Sequence, residues 1–243
     1  MKKRLITYIW ECSIDERDRE IYDTLDKNYN SKLFDEIFIF SESDISDKLK
    51  IYKNVNIIKI NHRPTFQFMF EYINVISNNE DINILANSDI FFDETLKLIE
   101  NINEDEFYCV TRHELDGNLF FEKFNHEVLG NYSVSQDVWI WRGQFKAYDC
   151  DFFIGYPGCD NKLAYRIVVA GYKIKNPCLS LKCYHNHSSK IRPGSSKTNG
   201  EGYKNSLTPK VIITPSTITE NSKWAILSVK PGLCEILTTL DNL

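Results

Sequence analysis

Between Leu5 and Thr111 the sequence alternates short β-rich apolar runs with stretches of helical periodicity, and that alternation leaves few folds open. The strand-like runs are Leu5 to Trp10, Ile37 to Phe40, Val55 to Ile60, Ile82 to Ala86 and Phe107 to Thr111. Between them, the stretch Asp18 to Tyr29 carries Ile21, Tyr22, Leu25 and Tyr29 at helical spacing. After Arg63-Pro64, the residues Phe66, Met69, Phe70, Ile73 and Ile76 trace an amphipathic helix. Asp93 reads as the N-cap of a further helix carrying Leu96, Ile99 and Ile102. Strands separated by helices predict an α/β fold, a mostly parallel sheet flanked by helices on both faces. Ligands of such sheets sit beyond the carboxyl ends of the strands. That rule places Trp10-Glu11, Ser41-Glu42, His62-Arg63 and Asn87-Ser88-Asp89 along one edge.

All ten glycines lie at or after Gly117. Glycine loops that cradle phosphate follow the first strand directly, so that backbone N–H groups can approach the ligand. Here the first strand runs into Glu11-Cys12-Ser13, which argues against dinucleotide-binding and P-loop architectures. A nucleotide bound by this half needs side chains and a metal to handle its phosphates. After Asp116 the composition shifts towards Gly, Tyr, Trp and Cys without a linker, so the rest reads as the second half of one domain. Ser133 to Trp141 reads as a strand, and a helix is predicted from Asp160 through Ala170 with Gly171 at its C′ position. Lys190 to Asn205, rich in Gly, Ser, Lys and Asn, is expected to be a mobile loop. A helix is predicted over Leu233 to Leu240.

At 243 residues, 42% hydrophobic and 26% charged, the chain is long and apolar enough to bury ~70% or more of its unfolded surface. Disordered and fibrous classes are thereby excluded. A net charge of −5 with only short basic runs disfavours a nucleic-acid partner. The seven cysteines form no Cys-x-x-Cys pair and suggest reduced thiols. The apolar run behind Met1-Lys2-Lys3-Arg4 ends at Glu11, and nothing later approaches the ~20 apolar residues of a membrane span. A cytoplasmic location is expected, which is compatible with peripheral membrane contact.

Three segments carry chemistry. Asp89 ends a buried strand and offers a hard oxygen donor for Mg²⁺ or Mn²⁺; the bland alternative is a turn residue, with Asp93 as a cap. His185 and His187, two apart on an extended segment, share a face and suit a metal or phosphate, or else are solvated imidazoles. In Gly158-Cys159-Asp160, Asp160 opens a helix and reads either as a general base or as an N-cap.

The sequence Asn87-Ser88-Asp89, then Ser135-Gln136-Asp137-Val138-Trp139, then Gly158-Cys159-Asp160-Asn161-Lys162-Leu163-Ala164-Tyr165 resembles GT-A-fold glycosyltransferases. So do Ala170-Gly171-Tyr172 with Asn176-Pro177, and Tyr184-His185-Asn186-His187. The likeness is to small bacterial and large-DNA-virus enzymes that build surface glycans. It covers residues 1–190 in layout, its specific motifs lying between 84 and 188. The resemblance implies a Rossmann-type sheet in one domain. About 1–110 would form the nucleotide-sugar half and 111–190 the acceptor half, with 191–243 a loop and C-terminal extension of the same domain.

An Asp-x-Asp element holds metal and ribose in that family; here Asn87 replaces the first Asp, which leaves open weaker metal binding or an Asn87–ribose hydrogen bond. The implied metal ligands for Mn²⁺ or Mg²⁺ are Asp89 with His185 or His187. Asp160 maps onto the base of inverting members. Nucleotide contacts are expected from Thr7, Trp10, Glu11, Arg63, Asn87 and Ser88. Sugar or acceptor contacts are expected from Gln136, Asp137, Gly158 and Trp139, although paired Trp in a strand more often belong to a core. Lys182, Lys190 and Arg192 are candidate cations for the leaving group. The partners implied are a nucleotide-sugar donor, UDP-type first, and a glycan or glycolipid acceptor. The rivals are a non-catalytic nucleotide- or carbohydrate-binding domain, with Asn87 as its scar, and a nucleotidyltransferase, which the missing glycine loop disfavours.

Overall fold

The computed structural model describes residues 1–120, 125–126, 130–131, 135–146, 148–189, 209–230 and 233–240. The first half runs β1 (Lys3–Tyr8), α1 (Asp15–Ser31), β2 (Glu36–Ser41), α2 (Ser46–Leu49), β3 (Val55–Lys59), α3 (Phe66–Ile76) and β4 (Ile82–Ala86). It continues with β5 (Ile90–Phe92), a 3-10 helix (Glu94–Asn101) and β6 (Glu106–Val110). After the short β7 (Asn125–His126) and β8 (Gly130–Asn131) come β9 (Val138–Arg142), α4 (Cys159–Val169), β10 (Lys173–Lys175) and β11 (Cys183–His185). The chain ends in β12 (Lys210–Ile213), β13 (Trp224–Lys230) and β14 (Leu233–Leu240).

Seven strands form the central sheet in the order β10-β6-β9-β4-β1-β2-β3. β1, β2, β3 and β4 are parallel, β10 is parallel to β6, and β9 lies antiparallel between β4 and β6. This is the mostly parallel α/β sheet that the alternation predicts. Because strand side chains alternate, β1 sends Ile6 and Tyr8 to one face and Leu5 to the other, which Ile9 joins just past the strand end. On the first face α3 buries Phe66, Met69, Phe70 and Ile73, and α4 buries Leu163, Ala164 and Ile167. On the second, α1 contributes Ile21 and Leu25, and the 3-10 helix contributes Leu96 and Ile99.

Local signals set the element ends. Thr65 caps α3 by accepting from Phe68 N, and Asp93 caps the 3-10 helix by accepting from Thr95 N. Asp15, Glu16 and Asp18 in the first turn of α1 suit its dipole, and Lys32 ends it in the left-handed region at φ 58°.

Three expectations are corrected. The strand expected over Ser133 to Trp141 is confined to Val138–Arg142; residues 132–134 lie outside the described residues, and 135–137 stand outside the ladder. The turn after Asp93 is 3-10 rather than α-helical. Leu233 to Leu240 is a strand, not a helix, because it pairs antiparallel with the adjacent β13, Lys230 opposite Leu233, and cross-strand pairing overrides local helical preference. The loop expected from Lys190 to Asn205 lies outside the described residues. Val211 and Ile213 of β12 join the same core cluster, packed beside α4. Among the described residues no helix is long and apolar enough to cross a membrane. Cys12, Cys109, Cys150, Cys159, Cys178 and Cys183 are buried free thiols.

Candidate active site

β4 carries Asn87-Ser88-Asp89 to the carboxyl-end edge of the sheet, where Ile90 N closes a turn on Asn87 O at 3.1 Å. β5 then pairs antiparallel with β11, setting His185 opposite Ile90, and Asn186 N donates to Asp89 O at 2.8 Å. This pairing brings residues almost a hundred positions apart into contact. His185 Nε2 lies 3.1 Å from Asp89 Oδ2, and the His187 ring stands 5.1 Å from that of His185, centroid to centroid. One ligand atom from each of Asp89, His185 and His187 lies within 4.8 Å of the others. One divalent cation could draw on all three after a side-chain adjustment of a few tenths of an ångström, and a carboxylate with two imidazoles suits Mn²⁺ better than Mg²⁺. The donor set fits a metal.

The cluster is held from α1 and from the segment after β6. Arg17 Nη2 donates to Asp89 Oδ2, while Arg17 Nη1 donates to Glu20 Oε2 at 2.9 Å. Glu20 also accepts from Ser188 Oγ at 3.0 Å and from Ser189 N at 2.7 Å. His185 Nδ1 faces Glu114 Oε2 at 3.4 Å, so the ring stands between two carboxylates. Burial alone would raise the Asp89 pKa, but the hydrogen bond and charge of His185, with the charge of Arg17, hold it well below the usual carboxylate range. Burial, then the charges of Arg17 and His185, lower the His187 pKa and favour its neutral, ligating form.

A second centre lies at the start of α4. Gly158, at φ 75°, takes the N-cap position, so Asp160 is not the cap. Asp160 sits instead in the first turn, where its Oδ2 accepts from Gln136 N at 3.2 Å. Burial, reinforced by the negative charge of Asp137, pushes Asp160 up to about 7 against backbone bonds from Asn161 and Gln136. The two centres are joined by polar contacts. Asp137 accepts from Asn87 Nδ2 at 2.9 Å and from Arg112 Nη1 at 3.1 Å, and Arg112 Nε donates to Glu114 at 3.1 Å. The Gln136 side chain, whose backbone N meets Asp160, is buried, and neither its amide nitrogen nor its amide oxygen has a partner among the described residues.

A third cluster lies at the ends of β1 and β2. Trp10 stacks on Tyr8 at 5.7 Å, and the Arg63 guanidinium lies over Tyr8 at 5.6 Å and over Tyr156 at 5.0 Å. The Tyr8 hydroxyl donates to Glu42. Burial and that hydrogen bond push the Tyr8 phenol up to about 12.

The structure therefore brings Asp89, His185 and His187 together, gathers Gln136, Asp137, Asn87 and Gly158 around Asp160, and sets Trp10 against Arg63 through Tyr8. It corrects other expectations. Thr7 is buried and, with Ser88, lines a cavity of about 10 Å³, room for one water at most and not for a ribose. Glu11 stands exposed, 4.0 Å from Lys48, apart from these clusters. Trp139 is fully buried, its ring edge-on to Phe66 at 5.2 Å, so it belongs to the core and not to a sugar platform. Asp137 is occupied by Arg112 and Asn87 and positions its neighbours. Lys190 and Arg192 lie outside the described residues. Arg17, Glu20, Arg112, Glu114 and Tyr8 join these clusters without having been marked by the motifs, whereas Glu42 stands at a strand end that the edge rule had named.

No protein-family model matches the sequence, and no curated protein does. Solved structures align with the chain. The crystal structure of S. aureus TarS 1–349 aligns with a TM-score of 0.50 at 15% identity, covering 76% of this chain and 60% of that one. The mannosyltransferase PcManGT from Pyrobaculum calidifontis, in complex with GDP-Man and Mn²⁺, aligns with a TM-score of 0.48 at 10% identity, over 78% of this chain and 58% of that one. A 4-diphosphocytidyl-2C-methyl-D-erythritol synthase from Anaerococcus prevotii DSM 20548 aligns with a TM-score of 0.45 at 15% identity, over 84% and 96%. This chain spans about 60% of the TarS fragment. The mostly parallel seven-stranded sheet with flanking helices is the GT-A-type fold of the sequence resemblance.

Proposed function

We propose that the chain is a glycosyltransferase that moves a sugar from a nucleoside-diphosphate sugar, UDP-type first, to a hydroxyl of a glycan or glycolipid. The observation that carries this reading is the convergence of Asp89, His185 and His187 at the ligand edge of the sheet, linked by the Asn87–Asp137 hydrogen bond and the adjoining Gln136 N to Asp160. Asp160 would take the proton of the acceptor hydroxyl; an apparent pKa of about 7 suits a base at neutral pH. Asp89, His185 and His187 would hold Mn²⁺ or Mg²⁺, which when bound supplies Lewis-acid stabilisation of charge on the leaving diphosphate. Arg63, flanked by Tyr8, Trp10 and Tyr156, offers a flat cationic and aromatic surface suited to a nucleobase. The side-chain amide of Gln136, without a partner among the described residues, suits hydrogen bonds to sugar hydroxyls. With Asp160 as base on the acceptor, direct displacement of the diphosphate by the acceptor oxygen would invert the anomeric carbon.

A nucleotidyltransferase reading is weaker, because the loop after β1 is Glu11-Cys12-Ser13 and carries no glycine to cradle a triphosphate. The test is a thermal-shift panel of UDP, GDP, CDP, ADP and dTDP, each with Mn²⁺, Mg²⁺ or EDTA. A nucleotide at 100 times its Kd stabilises the folded chain by about 2.7 kcal/mol. A shift selective for one nucleotide and lost in EDTA is expected. No shift with any pair would remove the metal–diphosphate site from consideration.

A further inference from the structure

Arg17 lies on the core-facing side of α1, 4% exposed, and its guanidinium rests on the carboxylate that a divalent cation needs. Its Nη2 donates to Asp89 Oδ2, the same oxygen that His185 Nε2 approaches at 3.1 Å. A guanidinium and a dication competing for one oxygen in a buried site repel each other strongly, because little water screens them. Arg17 is also anchored apart from Asp89. Its Nη1 donates to Glu20 at 2.9 Å, and Glu20 is itself fixed by Ser188 Oγ at 3.0 Å, Ser189 N at 2.7 Å and Ser189 Oγ at 2.9 Å. Nη2 can therefore change partner while Nη1 stays in place.

We infer that Arg17 is a resident counter-cation of Asp89 which holds down the affinity of the nucleotide-free protein for free metal and turns to the diphosphate when the donor arrives. This inference rests on the metal–nucleotide reading above. A diphosphate brings enough negative charge to accept both cations, and a guanidinium binds its oxygens through paired N–H donors. Metal and nucleotide then enter as a coupled pair, each raising the affinity of the other by the same factor. A purely structural Arg17 predicts the opposite sign on substitution, since loosening the cluster would weaken metal binding.

The experiment is titration with Mn²⁺ alone, followed by the electron paramagnetic resonance signal of the free ion. It compares the unaltered chain with Arg17→Met, with Arg17→Met combined with Glu20→Gln, and with each of these carrying Asp89→Asn. The double substitution removes a buried charge of each sign, so it keeps the test usable where Arg17→Met alone does not fold. Removing the guanidinium is expected to tighten Mn²⁺ binding about 10-fold, within the 5- to 150-fold range of ordinary coupling, and Asp89→Asn is expected to abolish the gain. If the unaltered chain binds Mn²⁺ and the Arg17 variants bind it equally or more weakly, the counter-cation role is overturned while the metal site stands. If no variant binds Mn²⁺, or if binding persists with Asp89→Asn, the metal site itself is overturned and this role falls with it.

Discussion

Asp160 is the residue whose environment most changes its chemistry. An ordinary Asp is ionised throughout the physiological range, but burial and the neighbouring Asp137 push this one up to about 7. Two outcomes follow. As a base it acts only when deprotonated, so kcat/KM should rise with pH through about 7, and Asp160→Asn should lower turnover by about 10²- to 10⁴-fold while leaving nucleotide affinity intact. Steady-state rates across pH with parallel calorimetric titration check both. The stability effect has a definite sign. The folded chain holds its Asp160 proton up to about pH 7 while the unfolded chain releases it near 3.8, so the unfolded state binds fewer protons in that window and stability falls as pH rises through it. Asp160→Asn should therefore raise Tm more at pH 8 than at pH 4, as read by scanning fluorimetry. Asp160 was legible because its carboxylate opens a helix after Gly158. Its proton affinity was not, because that depends on Asp137 and on the burial which packing supplies.

At the scale of elements, α1 both covers the sheet and assembles the site. Arg17, Glu20, Ile21, Thr24, Leu25 and Asn28 are its buried residues, so charged and amide side chains run in phase with the apolar stripe. That in-phase polar row is a sequence signal that a search for apolar periodicity alone passes over. Asn28 shows its use, donating to Ile90 O at 2.8 Å and accepting from Phe92 N at 3.2 Å, so that one amide completes the free edge of β5. Asn28→Ala should destabilise the chain by about 1–3 kcal/mol, because buried backbone groups of β5 lose their partners. Urea unfolding measures the loss, and weaker Mn²⁺ binding should accompany it, since β5 and the turn before it position Asp89. The pairing of β5 with β11 was not legible from either segment. His185 and His187 could be placed on one face from their spacing, but their approach to Asp89 needs an antiparallel ladder between strands some ninety residues apart.

Across the whole molecule the sheet has two poles. The carboxyl ends of the parallel strands carry the site, and the amino ends carry a buried ion-pair cluster. There Arg4 donates from Nη1 to Asp81 Oδ2 at 2.8 Å and from Nε to Glu36 Oε2 at 2.9 Å, while Asp81 also accepts from Lys2 N and Asn78 N. Arg4→Met leaves Asp81 as a buried charge without its cation and should cost about 3–5 kcal/mol. Nucleotide and metal affinities should stay unchanged in the same variant, a separation that denaturation and calorimetry can measure side by side. The sequence by itself determined the strand–helix alternation, the mostly parallel sheet, and the placing of Asp89 at the carboxyl-end edge of the sheet and of Asp160 at the start of a helix. These follow from local periodicity and from side-chain types at strand and helix ends, which contain their own information. Only the tertiary structure decided that β9 runs backwards between β4 and β6, that Trp139 packs in the core against Phe66, and that Arg17 and Glu114 flank Asp89 and His185. Each of those depends on which distant segment supplies the partner for a backbone edge or a buried charge, and no short window of sequence holds that partner.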